Sequence, residues 1–220
     1  LTYGYNNKYF IDLNGRYDGS ENFPKGSRFG FFPSIAAGWV VTGEEFMKPV
    51  TAVTYLKLRG SYGVVGNDQI GGRRFLWQSI YQAGSGYSFG QNGEVWSAGL
   101  KEGSTGTPEV TWEKHKIMNL GLEAKLFNDK LGINLDVFRK NVSDILITPG
   151  TIVATYGGPL PALNMGETKS HGFELELIHT NQINKDLSYM VKGNLNFTTS
   201  KVIYADEPPR KYPWLQRTGH

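Results

Sequence analysis

Several features that organise other proteins are missing from this sequence. It has no cysteine, which excludes disulfide bonds, thiolate nucleophiles and cysteine-ligated metal sites. No apolar run reaches the roughly 18 residues that a membrane-spanning helix needs. The net charge is only +3 and no basic run is long, so we expect no nucleic-acid partner. The histidines show no paired metal-ligand spacing, and we expect neither a metal site nor a cofactor; they are His115, His171, His179 and His220.

Glycine and aromatic residues, in contrast, are abundant. The 28 glycines, 12 tyrosines and 12 phenylalanines indicate strands and turns rather than helices. The mean hydropathy is negative, as in most soluble proteins. That value does not exclude a membrane barrel, because half of each barrel strand faces a wet lumen and lowers the average.

Apolar residues occupy alternate positions in segment after segment, which is the pattern of β-strands with one polar face. Two further, weaker strands are predicted within 73–92, one on each side of 83–86. The total is about nine strands of near ten residues each, the length that a tilted membrane strand needs. They are predicted to form an antiparallel up-and-down meander, an open curved segment of a larger barrel. The clearest segments are 9–17, 31–41, 56–64, 116–126, 131–137, 173–177 and 187–197.

The connections between these strands differ in length on the two ends of the predicted sheet. Outer-membrane barrels have short periplasmic turns and longer outer loops, so the longer set is predicted to face outside. One neighbouring pair breaks the rule, because 66–72 is shorter than 43–54. The predicted outer connections are 18–28, 66–72, 93–110 and 144–168, and the predicted inner ones are 43–54, 83–86, 128–130 and 180–186.

Charged residues fall on the face opposite the apolar one. This arrangement fits a barrel with a charged lumen, since an Arg or Lys facing lipid at the bilayer centre would cost roughly 2–4 kcal/mol. It also fits a soluble sandwich in which the apolar faces form the core. The residues predicted to face the lumen are Asp12, Arg16, Arg59, Glu123, Asp136, Glu174, Glu176 and Lys192.

Five motifs follow one another along the chain. They are Arg16-Tyr17-Asp18-Gly19-Ser20 followed by Gly30-Phe31-Phe32-Pro33-Ser34 and Ala37-Gly38-Trp39; 56–67; Thr111-Trp112-Glu113 with 119–123; 138–146; and Asn164-Met165-Gly166 with Gly172-Phe173-Glu174. In their order and spacing these motifs resemble strands of the SusC/RagA-type TonB-linked outer-membrane proteins. One departure is Ser170, where the family usually has Asn.

The resemblance implies an all-β segment of a plugged barrel of about 22 strands in the bacterial outer membrane. It implies TonB-coupled import of glycans or peptides beneath a SusD-like lipoprotein. We expect residues 1–204 to form part of the barrel, surrounded by outer-membrane lipid, and 205–220 to begin an extracellular loop. The plug, the TonB box and the C-terminal strands are expected to lie outside this internal fragment.

Residues in the predicted outer loops are the candidates for contacts with a substrate or partner. Aromatic rings there would stack on sugars, and charged groups would form hydrogen bonds with them. Glu174 and Glu176 share a strand face, but solvated lumen carboxylates explain them better than a glycosidase pair, and we expect a transporter rather than an enzyme. A soluble carbohydrate-binding sandwich and a passive porin remain alternatives. The candidate loop contacts are Tyr87, Trp96, Asp144, Tyr156, Arg210 and Trp214.

Overall fold

The computed structural model describes residues 1–71 and 74–220, and β-strands dominate this part of the chain. Four 3₁₀ turns lie at Val41–Gly43, Glu45–Met47, Ala154–Tyr156 and Pro213–Leu215. Within the described residues, no helix has the length and apolar character to cross a membrane. The strands are β1 Thr2–Tyr5, β2 Tyr9–Gly19, β3 Phe29–Val40, β4 Val53–Asn67, β5 Tyr81–Phe89, β6 Val95–Glu102, β7 Glu113–Leu126, β8 Leu131–Ile147, β9 Leu163–Gln182 and β10 Ser188–Tyr204.

Eight of the strands form one antiparallel sheet in the order β1-β2-β3-β4-β7-β8-β9-β10. Each strand therefore pairs with its neighbours in this order, and β1 and β10 are the two edges of an open sheet. The remaining strands, β5 and β6, pair only with each other. They form a hairpin within the connection between β4 and β7. The predicted antiparallel up-and-down arrangement is confirmed.

The two longest connections between strands of the main sheet, 68–112 and 148–162, leave it at the same end. We call it the long-loop end; it carries 20–28, 68–112, 148–162 and 205–220. The opposite, short-turn end carries 6–8, 41–52, 127–130 and 183–187. The predicted exception at 66–72 disappears, because Gly66 and Asn67 belong to β4 and the connection that follows extends to residue 112. A different exception is observed, because 41–52 at the short-turn end is longer than the neighbouring 20–28 at the long-loop end. Gly72, in the predicted connection 66–72, lies outside the described residues.

The prediction of two strands around 83–86 was wrong. Arg73 lies outside the described residues, and from Tyr81 the chain continues through 83–86 as the single strand β5. It reverses instead at Gly90 and Gly93, whose φ angles of 98° and 71° favour glycine. Gly86 is needed within the strand because a Cβ there would collide with the Trp96 ring. The short edge strand β1 and the strand β6 were not predicted.

Seven apolar residues selected from the alternation pattern lie on one face of the main sheet. The register pairs Leu13 with Ile35, and it aligns the other five in one row across β4, β7, β8, β9 and β10. The row runs through Leu58, Leu122, Leu135, Leu175 and Leu195. None of the seven is buried, and Leu195 is 58% exposed. Within the described residues, therefore, no second sheet buries this apolar face, which disfavours the soluble sandwich.

The buried hydrophobic cluster of the structure lies instead among the loops and strand ends of the long-loop end. Phe23 and Val110 are fully buried there and pack with Phe32 and Trp112. The Trp112 indole Nε1 donates a hydrogen bond to the Ser27 carbonyl at 3.1 Å. This small core joins the connection after β2 to the connection before β7, so the long loops begin from a fixed base.

Candidate functional site

All eight charged residues that were predicted to face a lumen share the face opposite the apolar one. We call this the polar face. Six of them gather on β4 and β7 to β10, whereas Asp12 and Arg16 lie apart on β2. Asp12 accepts a hydrogen bond from the Thr2 hydroxyl, and Arg16 pairs with Asp18 on its own strand. The six gathered residues are Arg59, Glu123, Asp136, Glu174, Glu176 and Lys192.

Arg59 is the centre of the first group of charges. Its Nε lies 3.2 Å from a carboxylate oxygen of Glu123, and its Nη2 lies 2.6 Å from a carboxylate oxygen of Asp136. Gly121 stands between Arg59 and Asp136 in the register, and a Cβ there would collide with the Arg59 side chain. The missing side chain of Gly121 therefore lets the guanidinium reach across β7 to a carboxylate on β8.

Glu176 is the centre of the second group. Lys192 Nζ lies 2.5 Å from one of its carboxylate oxygens, and the Asn134 amide donates a hydrogen bond to the other at 3.1 Å. Glu174 lies two residues away on the same face. Apart from Lys192, the residues of the two groups line one open groove of about 750 Å³, together with Asn194 and Asn196.

The groove presents both hydrogen-bond donors and acceptors, and its charges are of both signs. Such a surface can donate hydrogen bonds to, and accept them from, either the hydroxyls of a sugar or the amides of a peptide. The three asparagines were not among the predicted site residues, although the same alternation pattern places them on this face. In the described residues, no group of three or more acidic or histidine side chains is arranged to hold a metal ion.

The predicted loop contacts do not form one cluster. Tyr87 pairs with Ser97 in the β5–β6 hairpin, and Ser88 pairs with Trp96, so Tyr87 and Trp96 project from opposite faces of the hairpin. Both side chains are exposed. They therefore cannot contact the same side of one ligand.

The other predicted loop contacts are distributed along the long-loop end. The Tyr156 hydroxyl lies 3.3 Å from the Thr105 hydroxyl, and Trp214 stacks on Tyr212 with ring centroids 4.7 Å apart. Arg210 lies 3.9 Å from Glu207. The prediction that Asp144 lies in an outer loop was wrong, because Asp144 belongs to β8, where it pairs with Lys114 at 3.1 Å beside a shift in the β8–β9 register.

Asn164 explains one motif that the sequence singled out. Its side-chain amide donates hydrogen bonds to the carbonyls of Thr111 and Asp144, at 2.9 and 2.7 Å, and its oxygen accepts one from the Thr111 amide at 2.9 Å. A single side chain thus joins the segment before β7, the irregular part of β8 and the start of β9. Two residues on, a Cβ on Gly166 would press against Ile145.

Two carboxylates hold the segment after β10. The hydroxyl and amide of Thr151 donate to Asp206, and these hydrogen bonds hold the pKa of Asp206 below its usual value. The backbone amide of Thr218 donates to Glu207 at 2.7 Å and lowers the pKa of that carboxyl. Residues 205–220 are therefore held in place by hydrogen bonds to the β8–β9 connection and by hydrogen bonds within the segment.

Comparison with known proteins agrees with this geometry. Residues 1–217 match the family model described as TonB dependent receptor-like, beta-barrel. The chain belongs to this family. TonB-dependent receptor P26 of Formosa agariphila is 32% identical over 200 residues, which cover 89% of this chain and 20% of that protein. TonB-dependent receptor SusC of Bacteroides thetaiotaomicron is 30% identical over 208 residues, which cover 90% and 20%.

Solved structures give the same assignment. The RagAB peptide importer in its open-open state matches with a TM-score of 0.80 at 26% identity, covering 93% of this chain and 21% of that chain. Its closed-closed state matches with a TM-score of 0.77. The resemblance to SusC/RagA-type proteins is therefore confirmed, and the sheet is a segment of an outer-membrane β-barrel. The chain spans about a fifth of the length of these relatives.

Proposed function

We propose that this chain forms part of the wall of a TonB-dependent outer-membrane importer that takes up glycans or peptides. In this role the apolar face contacts lipid and the polar face lines the lumen. The observation that supports this proposal is that one sheet bears a row of leucines, none of them buried, on one face and a network of ion pairs on the other. A bilayer on one side and water on the other satisfies both faces at once.

The long-loop end is proposed to face outside the cell. Barrels of this class have longer loops on the extracellular side. Residues 1–204 would then be barrel wall, and 205–220 would begin an outer loop that the Asp206 and Glu207 contacts fix in place. A SusD-like lipoprotein would cover the long-loop end, and TonB would act through an N-terminal region beyond this segment.

The polar face is proposed to guide substrate rather than to transform it. Glu176 is held by Lys192 and Asn134, and Asp136 is held by Arg59, so neither carboxylate is kept free for proton transfer. In the outer loops, Tyr87, Trp96, Tyr156 and Trp214 offer rings for sugars or for apolar peptide side chains, and Arg210 offers a charged contact. Asp144 offers another charged contact near the long-loop end of β8. The RagAB structure that this chain resembles is that of a peptide importer.

An uptake assay tests the proposal. Cells expressing the full-length protein would be given fluorescent oligosaccharides and fluorescent peptides of similar mass. We expect one class to accumulate, and we expect accumulation to stop in strains that lack TonB or the SusD-like lipoprotein. Uptake that continues without TonB would support the passive porin instead, and hydrolysis of the probe by the purified protein would contradict the transport role.

The orientation is tested separately by single-cysteine labelling, because this segment has no native cysteine. In a cysteine-free full-length protein, Trp96→Cys lies in the hairpin of the long-loop end, and Asp129→Cys lies in a turn of the short-turn end. We expect a membrane-impermeant maleimide to label the first variant in intact cells and the second only after permeabilisation. The reverse result would invert the proposed orientation.

A further inference from the structure

Positively charged residues replace the leucines of the apolar face towards the long-loop end. Lys116, Asn141, Lys169 and Lys201 form one register row across β7 to β10. In the adjacent row of this face, Arg139 pairs with His171, so the two rows together carry four Lys or Arg residues and one histidine. Neighbouring strands are about 4.8 Å apart, so these charges form one compact group. We call this group the basic patch.

The other half of the same face lacks this feature. The row nearest the short-turn end holds Leu126, Leu131, His179 and Val191, and the next holds Ala124, Ile133, Leu177 and Gly193. The leucine row follows, and these three rows contain neither lysine nor arginine. The positive charge is therefore confined to one border of the apolar face, and the two borders are not equivalent.

Most of the basic patch is not neutralised by the protein itself. Lys169 lies 3.4 Å from Glu167, a weak and partly exposed pair. Within the described part of the chain, Lys116, Arg139 and Lys201 form no ion pair, and all three are exposed. Cationic side chains that are only solvated by water have no need of a neighbouring apolar surface. The position of these cations beside the apolar face therefore favours a partner that is anionic at one end and apolar at the other.

A groove beside the basic patch supplies the matching apolar surface. It has a volume of about 580 Å³ and is lined by Met118, Leu120 and Val137 together with the side chains of Arg139, Lys169 and Lys201. Long cationic side chains commonly lay their methylenes on apolar surface and place the charge at its polar border. The groove thus joins an apolar floor to a cationic rim, which is the shape and chemistry of a site for one lipid.

We propose that the basic patch and its groove bind an anionic, phosphorylated lipid, with the phosphate on the cations and an acyl chain in the groove. The inference rests on the proposed function, in which the apolar face contacts lipid. If the long-loop end faces outside, as proposed, the bound lipid belongs to the outer leaflet. Basic clusters at the membrane border attract anionic head groups electrostatically. The segment would then select its lipid environment on one side of the membrane.

The experiment measures binding of purified lipid A to the full-length protein in neutral detergent, with dephosphorylated lipid A as the matched ligand. The test variant combines Lys116→Gln, Arg139→Gln and Lys201→Gln. The control combines Lys57→Gln, Lys125→Gln and Lys140→Gln, which removes the same charge from the polar face. At about a factor of five per cation, we expect the test variant to bind roughly a hundredfold more weakly and the control to bind normally.

Equal binding by the test variant and the native protein would overturn the proposal, as would equal binding of the dephosphorylated lipid. Should the test variant fail to fold, a salt titration of the native protein decides, because binding through the patch must weaken as ionic strength rises. The assay contains no membrane, so its result does not depend on orientation. If lipid A does not bind through the basic patch but the Trp96→Cys variant is labelled in intact cells, the lipid site is rejected and the proposed function is unaffected.

Discussion

The two faces of the sheet formed by β4 and β7 to β10 differ in the contacts of their side chains, although they share one backbone. On the apolar face, no residue of the leucine row is buried, and Leu58 and Leu195 are exposed. On the polar face, Arg59, Glu176 and their partners form contacts that cross from strand to strand. Hydrogen bonds between strands hold the sheet equally for both faces, so the difference shows that each face is made for a different solvent.

The largest effect should come from placing a charge on the wrong face. Leu195 and Asn196 are consecutive on β10 and project to opposite faces. We expect Leu195→Arg to lower the free energy of unfolding of the full-length protein in lipid vesicles by about 2–4 kcal/mol, the cost of a lipid-facing Arg near mid-membrane. Asn196→Arg serves as the control and should change it by less than about 1 kcal/mol, because Arg there can pair with polar-face carboxylates. Equal losses would remove the distinction between the faces.

A smaller effect should follow from filling the space at a glycine. A Cβ on Gly172 would collide with the Phe197 carbonyl oxygen of the neighbouring strand, whereas a Cβ on Gly193 meets nothing within 4 Å. We expect Gly172→Ala to destabilise the barrel by roughly 1–3 kcal/mol, as overpacking does. Gly193→Ala should be neutral within about 0.5 kcal/mol. Denaturant unfolding of both variants checks this, and a tolerated Gly172→Ala would contradict the close approach of β9 and β10.

Breaking one ion pair on the polar face should cost less. Asp136→Asn removes the 2.6 Å pair with Arg59, but Arg59 keeps Glu123 and is 40% exposed. We expect a loss of no more than about 1 kcal/mol, since solvent screens such pairs. A double-mutant cycle with Arg59→Gln measures the coupling between the two side chains. A coupling of zero would show that the pair contributes only to the shape of the groove.

The smallest effect concerns acid stability at the short-turn end. Hydrogen bonds from the Tyr9 hydroxyl and the Trp39 indole, with Lys8 nearby, hold the pKa of Glu44 below its usual value of 4.5. This stabilisation is complete above the unfolded pKa and is lost as the pH falls through the lower, folded pKa. Glu44→Gln should therefore lower stability at neutral pH and flatten its acid decline. Glu45→Gln, which loses only an exposed pair with Lys48, is the control.

The alternation pattern was enough to locate most of the main sheet. In β2, β4 and β7 each predicted strand falls within the observed one, and the predicted segment 31–41 extends one residue beyond β3. Over the predicted ranges one face of these strands is apolar, with Lys116 of β7 as the exception. The pattern failed at 83–86, because small residues read as a turn while Gly86 in fact makes room for Trp96 across the hairpin. It also missed β1, whose four residues are too few to show a period.

The sequence predicts which face of the sheet each candidate residue lies on, but it does not predict which residues contact one another. Alternation alone assigns Arg59 and Asp136 to the polar face. Their pairing joins residues 77 positions apart and depends on the register of β4, β7 and β8, which no local pattern contains. The separation of Tyr87 from Trp96 depends in the same way on where the hairpin turns.

The most direct test of the central claim is the environment of a fluorescent label on each face of the full-length protein in lipid vesicles. Bimane would be attached to single cysteines at Leu135 and Leu195 on the apolar face, and at Asn134 and Asn196 on the polar face. We predict that brominated lipids quench the first pair and aqueous iodide quenches the second. If aqueous iodide quenched both pairs, or if neither quencher reached the leucine positions, the apolar face would not meet lipid and the barrel-wall account would be contradicted.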